Sequence, residues 1–346
     1  MPLKLGFQFI NTPFKDPFTI SGGRTKTHQP SLIVSLSLGR FTGLGEAPII
    51  SYYDVTRERM TAVIEEKKSA IEKFSLTEPE RYWHYLHHLL PHDPFLVAAL
   101  DIACWDLFGK IQQRPLYQLW NTEWHDSLPE THYTIGLDKP DTMLAKMKNT
   151  PWPKYKIKVE KESDLDTLAL LREQTNAPFL VDANGGWSLS QATEWMPRLK
   201  KLGVEFIEQP LHKSNFNDMK RLYEMSSIPI FADESCVFEK DIQNCIGCFH
   251  GINIKLTKCS GITPALRMIK TARSLNLQVM LGSMNETSVG SAAMAHLIPQ
   301  ADVVDVDGPI LLQEDVADGL LYENGQVLLS NLPGLGVWLK QSVVLN

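Results

Sequence analysis

The chain has no apolar run approaching the roughly 20 residues that a membrane helix needs, so a membrane-spanning bundle is excluded. Its first ten residues, MPLKLGFQFI, lack the long apolar centre and small-residue cleavage site of a secretory leader, and a cytoplasmic location is expected. Basic clusters are missing too. Lysine and arginine number 34 against 40 acidic residues, a formal net charge of -6, which leaves no electrostatic footprint for nucleic acid or an anionic membrane. Cysteine is scarce: five residues, an odd count scattered from Cys104 to Cys259, exclude a disulfide framework and suit a reducing compartment. The close pair Cys245 and Cys248 has no second pair to complete a zinc site and reads as small buried hydrophobes. No glycine-rich phosphate fingerprint follows a first strand, which argues against an open dinucleotide-binding sheet.

What is present is an ordinary globular composition, 43% hydrophobic and 21% charged, in 346 residues, enough for a substantial core. LKLGFQFI, SLIVSLSLG and FTGLGEAPI read as three antiparallel strands with glycine-bearing turns, and GLGE at 43–46 is expected to be a hairpin turn. Helical patterns follow at about 55–74, 78–90 and 94–112, the last opened by Asp93 and Pro94. From about 131 the rhythm changes. Eight β-rich runs, HYTIGL, YKIKV, FLVDAN, VEFIEQ, IPIFADES, GINIKL, LQVMLGS and DVVDVDG, alternate with helix-length segments, which predicts an α/β chain with a (β/α)8-type barrel. Asn324-Gly325 predicts a late hairpin, and the tail LPGLGV is expected to return to the first module. The expected division is an α+β capping domain at 1–125, the barrel at 126–315 and a returning C-terminal segment at 316–346.

The stretch PWPKYKIKVE sets Lys154, Lys156 and Lys158 on one face of a strand, where burial of ammonium groups is costly without partners or a task. The barrel frame supplies both. Successive strands end at Lys158, Asp182, Glu208, Asp233 and Lys255, spaced by 22 to 26 residues, about one βα unit each, so all five groups reach the same catalytic rim. Three carboxylates on adjacent strands repel one another unless a cation sits among them, and an all-oxygen set favours Mg²⁺. Lys158 and Lys255 stand on strands four places apart in an eight-strand ring, on either side of that set. A substrate carboxylate held there would place its α-carbon between two amines, the arrangement for racemisation or epimerisation. Lys156 adds cationic charge to the same face. On the eighth strand Asp305 and Asp307 could hold an ammonium group, pointing to a short peptide as substrate, and Thr134, Ser283 and Asn285 are further candidates for the polar wall.

On these motifs the chain resembles the enolase superfamily, its muconate-lactonising branch and, within that, the dipeptide epimerases. The resemblance covers nearly the whole chain. It implies that KIK and NIKL carry the catalytic lysines at Lys158 and Lys255, that VDANGGW, IEQP and FADES carry the Mg²⁺ ligands at Asp182, Glu208 and Asp233, and that DVDG binds the amino terminus of the substrate. It further implies one Mg²⁺ per subunit, a dipeptide of the L-Ala-X type with Glu favoured as X, peptidoglycan peptide recycling, and a possible homo-oligomer. Arg24, in ISGGRTKTHQPS, resembles the capping-loop arginine that pairs with a glutamate side chain. A lyase of the o-succinylbenzoate synthase or muconate cycloisomerase kind is the alternative on the same scaffold. His84, His87, His88 and His92 mimic a metal cluster but read as one polar helix face.

Overall fold

The structure is a computed structural model that describes residues 2–20, 24–341, 343 and 345. Strands β1 (Lys4–Ile20), β2 (Arg24–Leu38) and β3 (Phe41–Pro48) form an antiparallel sheet in that order. The hairpin between β2 and β3 turns at Gly39 and Arg40, so GLGE at 43–46 is not a turn; it lies inside β3. Its glycines serve a close approach instead. A Cβ on Gly43 would stand 2.1 Å from Ala103 O, and one on Gly45 would stand 1.9 Å from Ala99 O, so only glycine lets this strand lie on the helix beside it.

That helix is α3 (Pro94–Gln112), which follows α1 (Arg57–Glu72) and α2 (Pro79–Leu89). Nearly every face of α3 is buried, as its almost continuous apolar sequence requires, because β3 covers one side and the barrel covers another. Pro94 occupies the first helical position as expected. Asp93 caps nothing with its side chain and instead pairs with Arg59 at 2.7 Å.

Strands β4 (Tyr133–Ile135), β5 (Tyr155–Lys158), β6 (Phe179–Asp182), β7 (Val204–Glu208), β8 (Ile230–Ala232), β9 (Gly251–Ile254), β10 (Gln278–Gly282) and β11 (Val303–Asp305) follow in unbroken parallel order. A parallel bridge between Thr131 and Val304, with His132 N donating to Val304 O at 3.0 Å, brings the two ends together into a barrel. Side chains alternate in and out along each strand. Leu180, Phe231, Met280 and Val303, with Phe206 packed against them, fill the interior. This apolar plug leaves the next inward layer above it to polar groups.

Past the barrel, β13 (Leu320–Glu323) and β14 (Gln326–Leu329) pair across Asn324 and Gly325, both at positive φ (48° and 84°), as a two-residue hairpin demands. Between β12 (Ala317–Asp318) and β15 (Trp338–Leu339), paired antiparallel, the tail meets α3: Leu335 N donates to Asp106 Oδ1 at 2.7 Å.

Candidate active site

Register sets the site. Lys158 lies opposite Asp182 on β6, and Asp182 lies opposite Glu208 on β7, so three ends of adjacent strands stand at one level. Asp233 and Lys255 come one residue after β8 and β9. All five are buried, the two lysines only 8% and 7% exposed. A cleft of about 380 Å³ opens above them, lined by Lys156, Lys158, Asp233, Lys255, Asp305 and Asp307 from the barrel and by Phe18, Ile50, Tyr52 and Tyr53 from the first module. Thr134, Ser283 and Asn285 also line it. Asp182 and Glu208 are not part of that surface and lie buried behind it. The side chain of Arg24 lies outside the described residues. Lys154, at the foot of β5, pairs with Glu130 at 3.6 Å and takes no part.

The lysines of the KIK motif are buried and paired with carboxylates. Lys156 Nζ lies 2.7 Å from Glu208 Oε2, 2.7 Å from Asp305 Oδ2 and 3.3 Å from Asp182 Oδ2. Lys158 Nζ donates to Asp182 Oδ2 at 2.7 Å and to Asn184 Oδ1 at 2.8 Å. Lys255 Nζ donates to Asp233 Oδ2 at 2.8 Å. The eighth strand is tied to the first, because Thr134 N donates to Asp307 Oδ2 at 2.7 Å.

Several participants were not anticipated from sequence. Lys258, one turn after Lys255, is fully buried and donates to Asp233 Oδ1, to Asp233 O at 2.8 Å and to Asn253 O at 3.3 Å. Gln209 Oε1 accepts from Asp233 N and Ser235 N, both at 3.0 Å, and so braces the Asp233 loop. Glu234 meets Asn184 Nδ2 at 3.3 Å. Lys258 had a visible signal, a second lysine three residues after the first in an otherwise apolar helix start; Gln209 had none beyond its place after Glu208.

Electrostatics divide the acids. Burial pushes Asp182 up, but Lys158 and Lys156 outweigh it and hold the carboxyl at about 2. Burial likewise opposes ionisation of Asp233, and Lys255 and Lys258 prevail, holding it well below the usual range. Glu208 is different: burial, then repulsion from Asp182, push it up to about 7. Burial and Asp305 push Asp307 up to about 7. Burial lowers the Lys255 ammonium, but Asp233 and Glu208 reverse that and raise it above its ordinary value.

Among the described residues no three carboxylate, imidazole or thiolate side chains converge as a closed metal cage. Ammonium groups stand between the acids instead. The donors nevertheless fit a hard cation. Lys156 approaches Glu208 Oε2 as an ion pair without hydrogen-bond geometry, so Oε2, like Glu234 Oε2, is a buried carboxylate oxygen with no hydrogen bond. Burial and then repulsion from Asp182 lift Glu208, and a cation bound there would offset both.

The chain resembles known proteins over nearly its whole length. The family described as enolase C-terminal domain-like matches residues 142–343. An L-Ala-D/L-amino acid epimerase of Maribacter is 46% identical over 340 residues, covering 98% of this chain and 100% of that protein. The substrate-liganded L-Ala-D/L-Glu epimerase of Bacillus subtilis superposes with a TM-score of 0.91 at 29% identity, covering 97% of this chain and 99% of the other. A dipeptide epimerase of Cytophaga hutchinsonii, complexed with Mg and D-Ala-L-Val, gives 0.93 at 25% identity, covering 100% and 99%.

Proposed function

We propose, for a chain that belongs to the enolase superfamily and is an isomerase acting on amino-acid derivatives, a Mg²⁺-dependent dipeptide epimerase. It inverts the α-carbon of the second residue of an L-Ala-X dipeptide. The observation that carries this reading is the placement of two lysines, on strands four apart, around one acidic cluster, with Asp305 and Asp307 lining the same cleft.

Asp182, Glu208 and Asp233 would hold the cation, which supplies positive charge opposite the negative charge that develops on the substrate carboxylate as its α-proton leaves. The lysines move the proton. One ammonium, deprotonated, takes it from one face of the α-carbon, and the other returns a proton to the opposite face. Lys255, held in its ammonium form by Asp233 and Glu208, is poised in the donating state. Asp305 and Asp307 receive the substrate ammonium, which would offset both the burial of Asp307 and its repulsion from Asp305. Glu as X follows from the family resemblance, and the Maribacter relative's name supports a broader range of X. We place the enzyme in the cytoplasm, in peptide recycling, with five unpaired and buried thiols in keeping with a reducing compartment.

The test is a panel of L-Ala-L-X dipeptides with Mg²⁺ in D2O. Deuterium should enter the second α-carbon with inversion. A panel in which no member exchanges would sink the reading.

A further inference from the structure

We infer that Glu46, a residue of β3 outside the cleft lining, is a positioning residue for substrate binding: it fixes the loop from Ser283 to Thr287 that walls the cleft.

Glu46 is fully buried, and its carboxylate crosses from the antiparallel sheet to the barrel. Oε1 accepts from Thr287 N at 3.0 Å, while Oε2 accepts from Thr287 Oγ1 at 2.6 Å and from Gly290 N at 2.9 Å. A negative charge so placed caps the start of the helix Ser288–Ala295 and pins the residue where the loop after β10 ends. The loop passes the constraint on. Glu286 Oε2 accepts from Met284 N at 2.6 Å, and Met284, with Ser283 and Asn285, lines the cleft. The same backbone abuts the ammonium-binding loop, since a Cβ on Gly308, next to Asp307, would meet Glu286 O at 2.3 Å. Glu46 is therefore the far end of a rigid connection: carboxylate to helix start, helix start to Glu286, and Glu286 to the wall the substrate touches. Burial, together with the neighbouring Glu46, pushes Glu286 up to about 7, and burial raises Glu46 as well, so the pair holds a proton more readily than two free carboxyls and its mutual repulsion is eased.

A matched residue makes the claim testable. Asp101, on α3, is buried at the same junction and accepts from Thr263 N at 2.9 Å and Thr263 Oγ1 at 2.8 Å, at the start of the helix Ile262–Ser274. None of residues 261–264 lines the cleft. Loss of either carboxylate loosens the junction; only loss of Glu46 should reach the substrate.

The inference rests on the dipeptide reading above, so the experiment carries two readouts. In the full chain with Mg²⁺, Glu46→Gln should raise KM for an L-Ala-L-X dipeptide about tenfold with kcat changed far less. It should also speed amide hydrogen exchange over residues 283–290. Asp101→Asn should leave KM and that exchange as in the wild type, whatever it does to the melting midpoint. Thr287→Val, which removes the hydroxyl bond to Glu46 and the cap bond from Val289 N but keeps the backbone bonds from Thr287 N and Gly290 N to Glu46, should shift KM the same way by less, and stands in if Glu46→Gln does not fold. Equal KM values and equal loop exchange in the Glu46 and Asp101 variants overturn the inference. A wild type inert toward every dipeptide would instead overturn the functional reading, and the exchange comparison would then decide this one by itself.

Discussion

Lys158 and Lys255 hang on β5 and β9, four strands apart, and each ammonium donates to a different carboxylate of one set, Lys158 to Asp182 at 2.7 Å and Lys255 to Asp233 at 2.8 Å. If both lysines act as bases on one α-carbon, as proposed, they differ in which epimer's proton each can remove. Lys158→Ala and Lys255→Ala should each depress epimerisation by at least about 10²-fold. Each should still exchange the α-proton of one epimer, and the two variants should choose opposite epimers. Proton NMR in D2O with each pure epimer distinguishes this from a single-base reaction, in which one variant would keep full epimerisation.

Asp307 receives Thr134 N at 2.7 Å and lies in the cleft beside Asp305. If these acids bind the substrate ammonium, Asp307→Asn should raise KM for a free dipeptide about 30-fold or more, the equivalent of ~2 kcal/mol. The N-acetylated dipeptide should be poor for both proteins and nearly indifferent to the change. Steady-state kinetics on the two substrates measures it; an equal penalty on both would remove the ammonium assignment.

Lys258 gives its ammonium to Asp233 and to the Asp233 and Asn253 carbonyls with no exposure to speak of. Lys258→Met leaves Asp233 short of a buried partner and should cost about 3–5 kcal/mol in urea unfolding. Calorimetry should also show weaker Mg²⁺ binding. Lys258→Arg should not restore either property, because a planar guanidinium cannot serve acceptors grouped around one Nζ. Wild-type Mg²⁺ affinity in Lys258→Met would show that Lys258 does not orient Asp233.

Burial pushes the Asp101 carboxyl up to about 7, despite hydrogen bonds from Thr263 that lower it. An acid that binds its proton more tightly when folded contributes its stability in full below the unfolded value near about pH 4, and loses it as the pH climbs through 7. The melting midpoint of the wild type, less that of Asp101→Asn, should therefore fall between about pH 5 and about pH 8, by the equivalent of a few kcal/mol at most. A difference that stays flat or grows with pH contradicts the sign.

Gly45→Ala forces a methyl to within 1.9 Å of Ala99 O, a backbone atom that cannot swing aside. A loss of about 3 kcal/mol or more is expected by chemical denaturation. Near-wild-type stability would mean that β3 and α3 can part more readily than their packing implies.

Local pattern was enough for the strands and for placing five charged side chains at one rim. Alternation along a strand and one βα unit between strand ends are short-range regularities, and they suffice to set Lys158, Asp182, Glu208, Asp233 and Lys255 on one rim. The same reading misjudged GLGE, because glycine in a turn and glycine under a helix look alike in a sequence, and only the arrival of α3 distinguishes them. It also passed over Glu46, Gln209 and Lys258, whose roles depend on partners brought near by folding.

The sequence by itself determined which residues reach the rim and what ionisable groups they bring, since both follow from periodicity and side-chain chemistry. Tertiary structure alone decided which charge meets which: Thr134 reaches Asp307 and Glu46 reaches Thr287 only after the ring closes and the sheet docks against it. Hydrogen bonds and ion pairs act over a few ångströms, and a chain separation of 173 or 241 residues says nothing about such a distance until the fold has removed it.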